Sequence, residues 1–197
     1  MNRLTSLIIA TILVFTATVA TATEWAIDND HSNAYFSVKH MTVAKVRGTL
    51  KDVTGTIDLE NGALKNLAIT VGVASIDTGV QQRDDHLKSP DFFDLKKFKT
   101  IEFTATGITP KTAMQYEVTG DLTIHGVTKK VTIDLLGPSP EAKDPWGNIR
   151  RGISISTKLN RKDFGLNYNA VLDNGGLLIG DMVEVELDIE ILQPKTN

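Results

Sequence analysis

The sequence predicts an all-β fold, an antiparallel barrel of about eight strands with one short helix, and two patterns lead to it. Apolar and polar residues alternate through most of the chain, which is typical of strands with one buried face. Glycine, proline and asparagine separate these runs and supply the turns of sequential hairpins. Because closure removes exposed sheet edges, an up-and-down barrel is favoured over a two-sheet sandwich.

Strands account for most of the chain after Trp25. The clearest covers residues 183–191, where valine, leucine and isoleucine alternate with acidic residues. Similar alternation extends over residues 34–40, 67–73, 101–105, 116–124, 131–135 and 149–159. Within residues 46–59 the apolar phase slips, so we expect a bulge or a tight bend near Lys51 and Asp52.

The interior of this barrel is expected to be hollow. A barrel of about eight strands is either just filled by its side chains or holds one small or thin ligand. Aromatic residues make up only 6% of the chain, so large rings are not expected to crowd the lumen. Runs of about nine residues give strands of roughly 30 Å. We therefore expect a deep, smooth lumen suited to a long apolar molecule.

One short helix is expected at about residues 79–88. Thr78 and Gln81 have the spacing of a capping box, in which Thr78 bonds the backbone N–H of Gln81 and the Gln81 side chain reaches back. Ser89 precedes a proline, and a residue in that position avoids helical angles, so the helix should end there.

Composition and charge exclude several functions. The 197 residues carry a formal net charge of −3, which does not supply the concentrated positive charge that nucleic-acid binding needs. The chain has no cysteine, which excludes thiol nucleophiles, disulfides and thiolate metal sites. The short cluster Arg161-Lys162-Asp163 is interpreted as a solvated face. Without a recognisable catalytic, phosphate-binding or zinc motif, no catalytic residue, metal or cofactor is expected.

The N-terminal segment predicts secretion. Arg3 supplies a positive charge, residues 7–19 are apolar, and residues 20–22 are the small residues of a cleavage site. An uncleaved membrane anchor is the alternative, but threonines dilute the apolar run below what a spanning helix needs. We expect a signal peptide over residues 1–22 and a single domain over residues 23–197. The absence of any Asn-x-Ser/Thr sequon favours the periplasm as the destination.

Polar candidates for ligand contacts lie on one strand and on the helix. His40 falls on the apolar phase of its strand and should point inward, as a neutral imidazole bonded to a neighbour or as a contact to a ligand headgroup. Arg83 shares a helix face with His86 and Leu87. Either the helix is solvated and closes one barrel end through Val80 and Leu87, or Arg83 is a donor at the mouth for an oxygen-rich headgroup.

Several short motifs, in this order along the chain, resemble the YceI-like family. They are Trp25-Ala26-Ile27-Asp28, Phe36-x-Val38-x-His40-Met41, Val46-Arg47-Gly48, Ser75-Ile76-Asp77-Thr78-Gly79, Arg83-Asp84-x-His86-Leu87, Phe92-Phe93-Asp94, Leu122-Thr123-Ile124-His125-Gly126, Arg161-x-Asp163-Phe164-Gly165-Leu166 and Gly180-Asp181-x-Val183. Each motif is weak alone, but together they span the whole chain after residue 22.

The resemblance implies an extended, lipocalin-like eight-stranded barrel in the periplasm whose lumen holds a polyisoprenoid or a quinone-like amphiphile. It implies transport, storage or sequestration of that lipid with no chemistry done on it, and pairing as a homodimer. Such a carrier is also expected to contact a membrane or another lipid donor transiently. By position, the implied lumen or mouth contacts are Phe36, Val38, Met41, Ile69, Val71, Phe92, Phe93, Phe103 and Leu166. Met41 lies on the opposite alternation phase from Phe36, so its contact requires the strand to twist or end there.

Two other functions remain open at this stage. One is an enzyme or isomerase acting on a lipid through His40 or the cluster from Arg83 to His86. The other is a barrel filled by its own side chains that acts through surface contacts in a stress response. A cavity in the interior would argue against the filled barrel and would be consistent with the carrier and the enzyme.

Overall fold

The computed structural model describes residues 22–172 and 176–194. These ranges contain strands β1 (Thr23–Ile27), β2 (Asn33–His40), β3 (Ala44–Leu50), β4 (Val53–Glu60), β5 (Ala63–Gly72), β6 (Thr100–Pro110), β7 (Gln115–Ile124), β8 (Val127–Leu136), β9 (Ala142–Lys143), β10 (Ile149–Asn160) and β11 (Ile179–Leu192), and helix α1 (Gln81–Lys88). All the strands belong to one antiparallel sheet. All but the last residue of the expected signal peptide, residues 1–22, lie outside the described residues, so its cleavage and the domain limits stay predictions. Within the two described ranges, no helix has the length and apolar content needed to cross a bilayer.

The sheet closes into a barrel through β11. This strand pairs with β10 along one side and with β1 and β2 along the other. β1 and β2 are two segments of one barrel strand, and β3 and β4 are two segments of the next. β3 pairs with β2, and β4 pairs with β1. With each broken strand counted once and the two-residue β9 set aside, the barrel has eight antiparallel strands. The predicted fold class is confirmed.

The phase slip expected near Lys51 and Asp52 is a bend between β3 and β4. The backbone N–H groups of both residues donate to the Ser75 hydroxyl oxygen, at 3.1 and 3.2 Å. That hydroxyl in turn donates to the carbonyl of Gly72 at 2.7 Å. The unpaired backbone groups of the bend are therefore satisfied by one serine that follows β5.

The helix is shorter than predicted, and the predicted capping box is wrong. α1 begins at Gln81, and its N-cap Val80 makes no side-chain capping bond. Thr78 instead donates both its backbone N–H and its hydroxyl to Asp84, because Gly79, at φ 75°, turns the chain before the helix starts. The helix ends before Ser89, as predicted.

The barrel interior is divided into a filled half and a hollow half, and β11 crosses from one to the other. Ile189 and Ile191 are 3% and 0% exposed, whereas Val183, Val185 and Leu187 are half-buried around a cavity. The filled half contains Trp25, Ile57, Leu67, Tyr116 and Val118. The expected lumen is therefore present in only part of the barrel, because two of the few rings of the chain, from Trp25 and Tyr116, occupy the other half.

A cluster of charges ties strands together at the filled end. The Arg150 guanidinium donates to Asp28, to Glu190 and, at 2.8 Å, to Asp144. Asp28, Glu190 and His31 are close enough to hold a metal ion. Because Arg150 already supplies the cation between the two carboxylates, we assign the cluster to stability. His31 lies in a 3-10 turn and bonds Asp28 at 2.8 Å.

Replacing Arg150 with methionine is expected to make the protein more sensitive to acid. Burial opposes ionisation of Asp28 and Asp144, but hydrogen bonds, from Arg150 to both and from Asn148 to Asp144, lower the pKa of each carboxyl below its ordinary 3.8. Carboxyls with a lowered folded pKa stabilise the protein above the unfolded pKa, and this stabilisation is lost as pH falls through the folded pKa. The variant should therefore unfold at a higher pH.

Urea unfolding followed by circular dichroism at about pH 7 and about pH 2.5 measures this difference. The gap in the free energy of unfolding between the wild-type protein and Arg150→Met should be larger at neutral pH. The control is Lys65→Met, which removes an exposed partner of Glu60 and should change little at either pH. An equal gap at both pH values would contradict the role given to Arg150.

Candidate functional site

The hollow half of the barrel contains a cavity of about 380 Å³. Side chains from β2, β3, β5 to β8, β10 and β11 form its wall, and α1 lies at its mouth. The wall is mostly valine, leucine, isoleucine and phenylalanine. Pockets for small molecules run from roughly 300 to 1,000 Å³, so this space can hold one small ligand or part of a longer one. The barrel is therefore not filled by its own side chains.

The structure brings nearly all the predicted site residues together around this cavity. Those that line it are Phe36, Val38, His40, Ile69, Val71, Arg83, His86, Leu87, Phe92, Phe93, Phe103 and Leu166. Met41 does not line it. Met41 begins the turn between β2 and β3 with φ 52°, and it is 40% exposed. The strand does end at His40, as the predicted contact of Met41 required, but the turn that follows leaves the Met41 side chain exposed and away from the cavity.

Two large rings lie against the wall instead of filling the cavity, because glycines stand behind them. A methyl group at Gly48 would lie 2.5 Å from the Phe36 ring. A methyl group at Gly120 would lie 2.4 Å from the Phe103 ring. Neither contact is possible between real atoms, so the two glycines provide the space in which the rings fold back. The open lumen depends on these two positions that have no side chain.

The mouth of the cavity carries a cluster of three rings. The His86 ring lies edge-on to the rings of Phe92 and Tyr168, with centroids 5.0 and 4.7 Å away, and those two rings are 5.0 Å apart. His86 Nε2 also lies 3.1 Å from a carboxylate oxygen of Asp91. The cluster joins α1 and the segment after it to the segment before β11. Sequence analysis missed Tyr168, because no alternation extends through that segment.

Arg83, His86 and Leu87 all line the cavity, which confirms the predicted shared helix face. The Arg83 guanidinium donates to the Thr78 hydroxyl at 2.7 Å and to the Thr78 carbonyl at 2.9 Å. The alternative of a solvated helix requires both Val80 and Leu87 to close the barrel end. Leu87 lines the cavity, but Val80 is 46% exposed and does not line it. The helix therefore brings both an apolar group and a donor to the mouth.

Arg161 corrects the interpretation of its charge cluster as a solvated face. It is 5% exposed, and its guanidinium donates to the carbonyls of Leu166, Tyr168 and Gly180. Burial lowers the pKa of this guanidinium, and the charge of Asp181, 3.7 Å away, partly opposes that effect. Arg161 therefore holds the segment that carries Tyr168 against β11.

Comparison with known proteins agrees with this architecture. The model of the YceI-like domain matches residues 25–191 of the chain. The chain belongs to the YceI-like family. It is 39% identical to the UPF0312 protein plu2095 of Photorhabdus laumondii over 166 residues, 81% of this chain and 83% of that protein. It is 36% identical to Protein YceI of Escherichia coli O157:H7 over 160 residues, 78% of this chain and 82% of that protein.

Solved structures share the barrel of this YceI-like chain. The Campylobacter jejuni YCEI protein has a TM-score of 0.67 and 29% identity, covering 80% of this chain and 90% of that one. BcnA of Burkholderia cenocepacia has a TM-score of 0.69 and 21% identity, covering 83% and 98%. A structure described as a polyisoprenoid binding domain from Saccharophagus degradans has a TM-score of 0.64 and 16% identity, covering 88% and 100%. At these last two identities the likeness shows the fold alone.

Proposed function

We propose that this YceI-like protein binds and carries a polyisoprenoid or a similar amphiphilic lipid in its cavity and leaves the lipid chemically unchanged. The observation that carries the proposal is the apolar cavity itself, since rings folded against the wall keep the lumen open. The family membership and the described binding of the Saccharophagus degradans domain support the same class of ligand. The tail would occupy the hollow half, and the headgroup would lie near α1.

The energetics allow useful affinity. Burying several hundred Å² of prenyl chain gives on the order of 10 kcal/mol at about 25 cal/mol per Å², before the cost of ordering a flexible tail. Association costs at least about 4 kcal/mol, and the roughly 6 kcal/mol that remains corresponds to a Kd of tens of micromolar. Apolar walls distinguish ligands that differ by one methylene by only roughly 1 to 3 kcal/mol. Selectivity should therefore come from the headgroup.

Native mass spectrometry of protein purified without detergent tests the proposal. We expect either a co-purified lipid mass or uptake of an added prenyl compound at one molecule per chain. Only apo masses, together with no uptake of any prenyl quinone or prenyl alcohol, would count against it.

The periplasmic location, the homodimer and the transient membrane contact belong to the same proposal. Secretion would place the protein beside the membranes that contain such lipids. Cell fractionation with sequencing of the mature N-terminus tests the location, and a sequence starting at Thr23 is expected. Sizing by light scattering tests the dimer, and sedimentation with lipid vesicles tests the membrane contact.

An enzyme acting on a lipid is the competing function, and the His86 ring beside Asp91 at the mouth is the observation that favours it. A histidine bonded to a carboxylate is a common proton donor or acceptor. Product formed from a bound lipid, lost in His86→Ala while binding persists, would favour this function over the carrier.

A further inference from the structure

The charged residues around the cavity are all cations. Lys39, Arg83 and Arg161 are among the lining residues, together with His40 and His86. Within residues 22–172 and 176–194, no aspartate or glutamate lines the cavity. The whole chain has a net charge of −3, with 24 acidic residues. The charged side chains of the cavity are therefore positive, whereas the net charge of the whole chain is negative.

Of the arginines that are not exposed, Arg83 alone lacks a carboxylate partner in the described parts of the chain. Arg150, Arg151 and Arg161 each lie within ion-pair distance of at least one aspartate or glutamate. Arg161 is also committed to backbone carbonyls. Arg83 bonds only Thr78, through one N–H of Nε and one of Nη2. A guanidinium has five N–H donors, so three remain for another acceptor.

Arg83 is held in place by a buried carboxylate that lies behind it. The Thr78 hydroxyl accepts from Arg83 Nε and donates to Asp84, whose side chain is 6% exposed and does not line the cavity. Asp84 also accepts the backbone N–H of Thr78 at 2.9 Å. Asp91 contacts His86 and is exposed. Thr78 therefore fixes one edge of the guanidinium and leaves the other edge available.

We propose that the headgroup of the bound amphiphile is an anion, a carboxylate or a phosphate, which accepts from the free edge of Arg83. This inference rests on the proposed function, because it assigns the headgroup of the same ligand. A planar guanidinium matches the two oxygens of a carboxylate or phosphate, and such charge-assisted pairs are stronger than neutral hydrogen bonds. Lys39, which also lines the cavity, adds a second positive charge. A neutral quinone or alcohol headgroup leaves the charge of Arg83 uncompensated.

Isothermal titration of the full mature chain with one tail and three headgroups tests this inference. The ligands are a farnesyl chain ended as an alcohol, as a carboxylate and as a monophosphate, with inorganic phosphate as a ligand without a tail. We expect one or both anionic lipids to bind at least about tenfold more tightly than the alcohol. Inorganic phosphate alone should bind far more weakly than the farnesyl anions.

The variant Arg83→Met should bring the affinity of the anions down to that of the alcohol. The quantity compared is the ratio of anion affinity to alcohol affinity within each protein, and circular dichroism shows whether the variant is folded. Arg83→Lys should keep part of the preference, because it keeps the charge without the planar fork. The matched control is Arg47→Met, which removes an exposed arginine of β3 that does not line the cavity and should leave the preference intact.

Three results would overturn the inference while leaving the carrier function standing. The first is that the alcohol binds as tightly as the anions in the wild-type protein. The second is that the preference for anions persists in Arg83→Met, and the third is that Arg83→Met weakens binding of the alcohol and the anions equally. Inorganic phosphate binding as tightly as the farnesyl anions would also overturn it, since the anion site would then be independent of a lipid. If no farnesyl compound binds, the proposed function fails and the headgroup assignment fails with it.

Discussion

Replacing Val185 with tryptophan is expected to weaken lipid binding strongly while the barrel stays folded. Val185 lies midway along β11, opposite Thr157 of β10 and Phe36 of β2, and lines the cavity. An indole there would enter the empty half of the lumen, where it displaces no side chain. We expect a loss of affinity of at least about tenfold, ~1.4 kcal/mol. The free energy of unfolding should change by no more than about 1 kcal/mol, because the added volume fills existing space.

The neighbouring residue supplies a matched control. Glu186 is on the same strand, is exposed and does not line the cavity, so Glu186→Trp adds the same ring on the outer surface. Its affinity for a prenyl ligand should equal that of the wild-type protein. Binding measured by titration, with urea unfolding of each variant, separates the two effects. If Val185→Trp binds a prenyl ligand as well as the wild-type protein does, the ligand site is not this cavity.

The substitution Arg161→Lys is expected to give the largest loss of stability. Lysine keeps the charge, but its ammonium cannot reach the carbonyls of Leu166, Tyr168 and Gly180 together. The contact to Leu166 is buried and the other two are partly buried. A buried carbonyl left without a donor costs about 1 to 3 kcal/mol, so a loss of roughly 3 kcal/mol in the free energy of unfolding is expected for the three together. The segment before β11 should also become sensitive to proteases under native conditions.

Lys162→Ala is the control for that variant. Lys162 is exposed, and its ammonium pairs with Asp181 on the surface at 2.9 Å. Removing an exposed pair changes stability by about 1 kcal/mol at most. If Arg161→Lys were as stable as Lys162→Ala, the carbonyl contacts of Arg161 would contribute little to the fold.

The sequence was sufficient to predict the barrel because alternation is a local property of each strand. The strand containing Val183 and Ile191 has one apolar face whatever it pairs with, and hairpin turns then determine which strands are neighbours. The same local logic placed His40 and the face of Arg83, His86 and Leu87 around one cavity. These residues are brought together by the closure of the sheet, which alternation already requires.

The contacts that sequence analysis missed depend on groups far apart in the chain. Arg161 resembles a surface charge until the tertiary structure places the carbonyls of Leu166, Tyr168 and Gly180 against it, and Tyr168 follows no apolar alternation. Thr78 has the spacing of a helix cap, but the stronger acceptor Asp84 takes both of its donors. A polar side chain can form hydrogen bonds with several partners, and the tertiary structure determines which of them lie within bonding distance.

Alternation alone does not predict that the lumen is divided into two halves, since the inward positions are equally apolar in both. What separates them is volume. Trp25 and Tyr116 occupy the centre of one half, whereas Phe36 and Phe103 fold back over Gly48 and Gly120 in the other. The aromatic content gives the number of rings but not their positions, so it could not predict that rings fill one half of the lumen.

The packed half also limits the length of tail that the cavity can hold. Ile57, Leu67 and Val118 are fully buried and lie beyond the cavity wall, so a tail entering from α1 meets a floor partway down. Carbons up to that depth would be sheltered from water, and every carbon beyond it would have to fold back or remain outside. In the proposed carrier, the number of isoprene units sheltered from water would thus be set by the residues farthest from the opening.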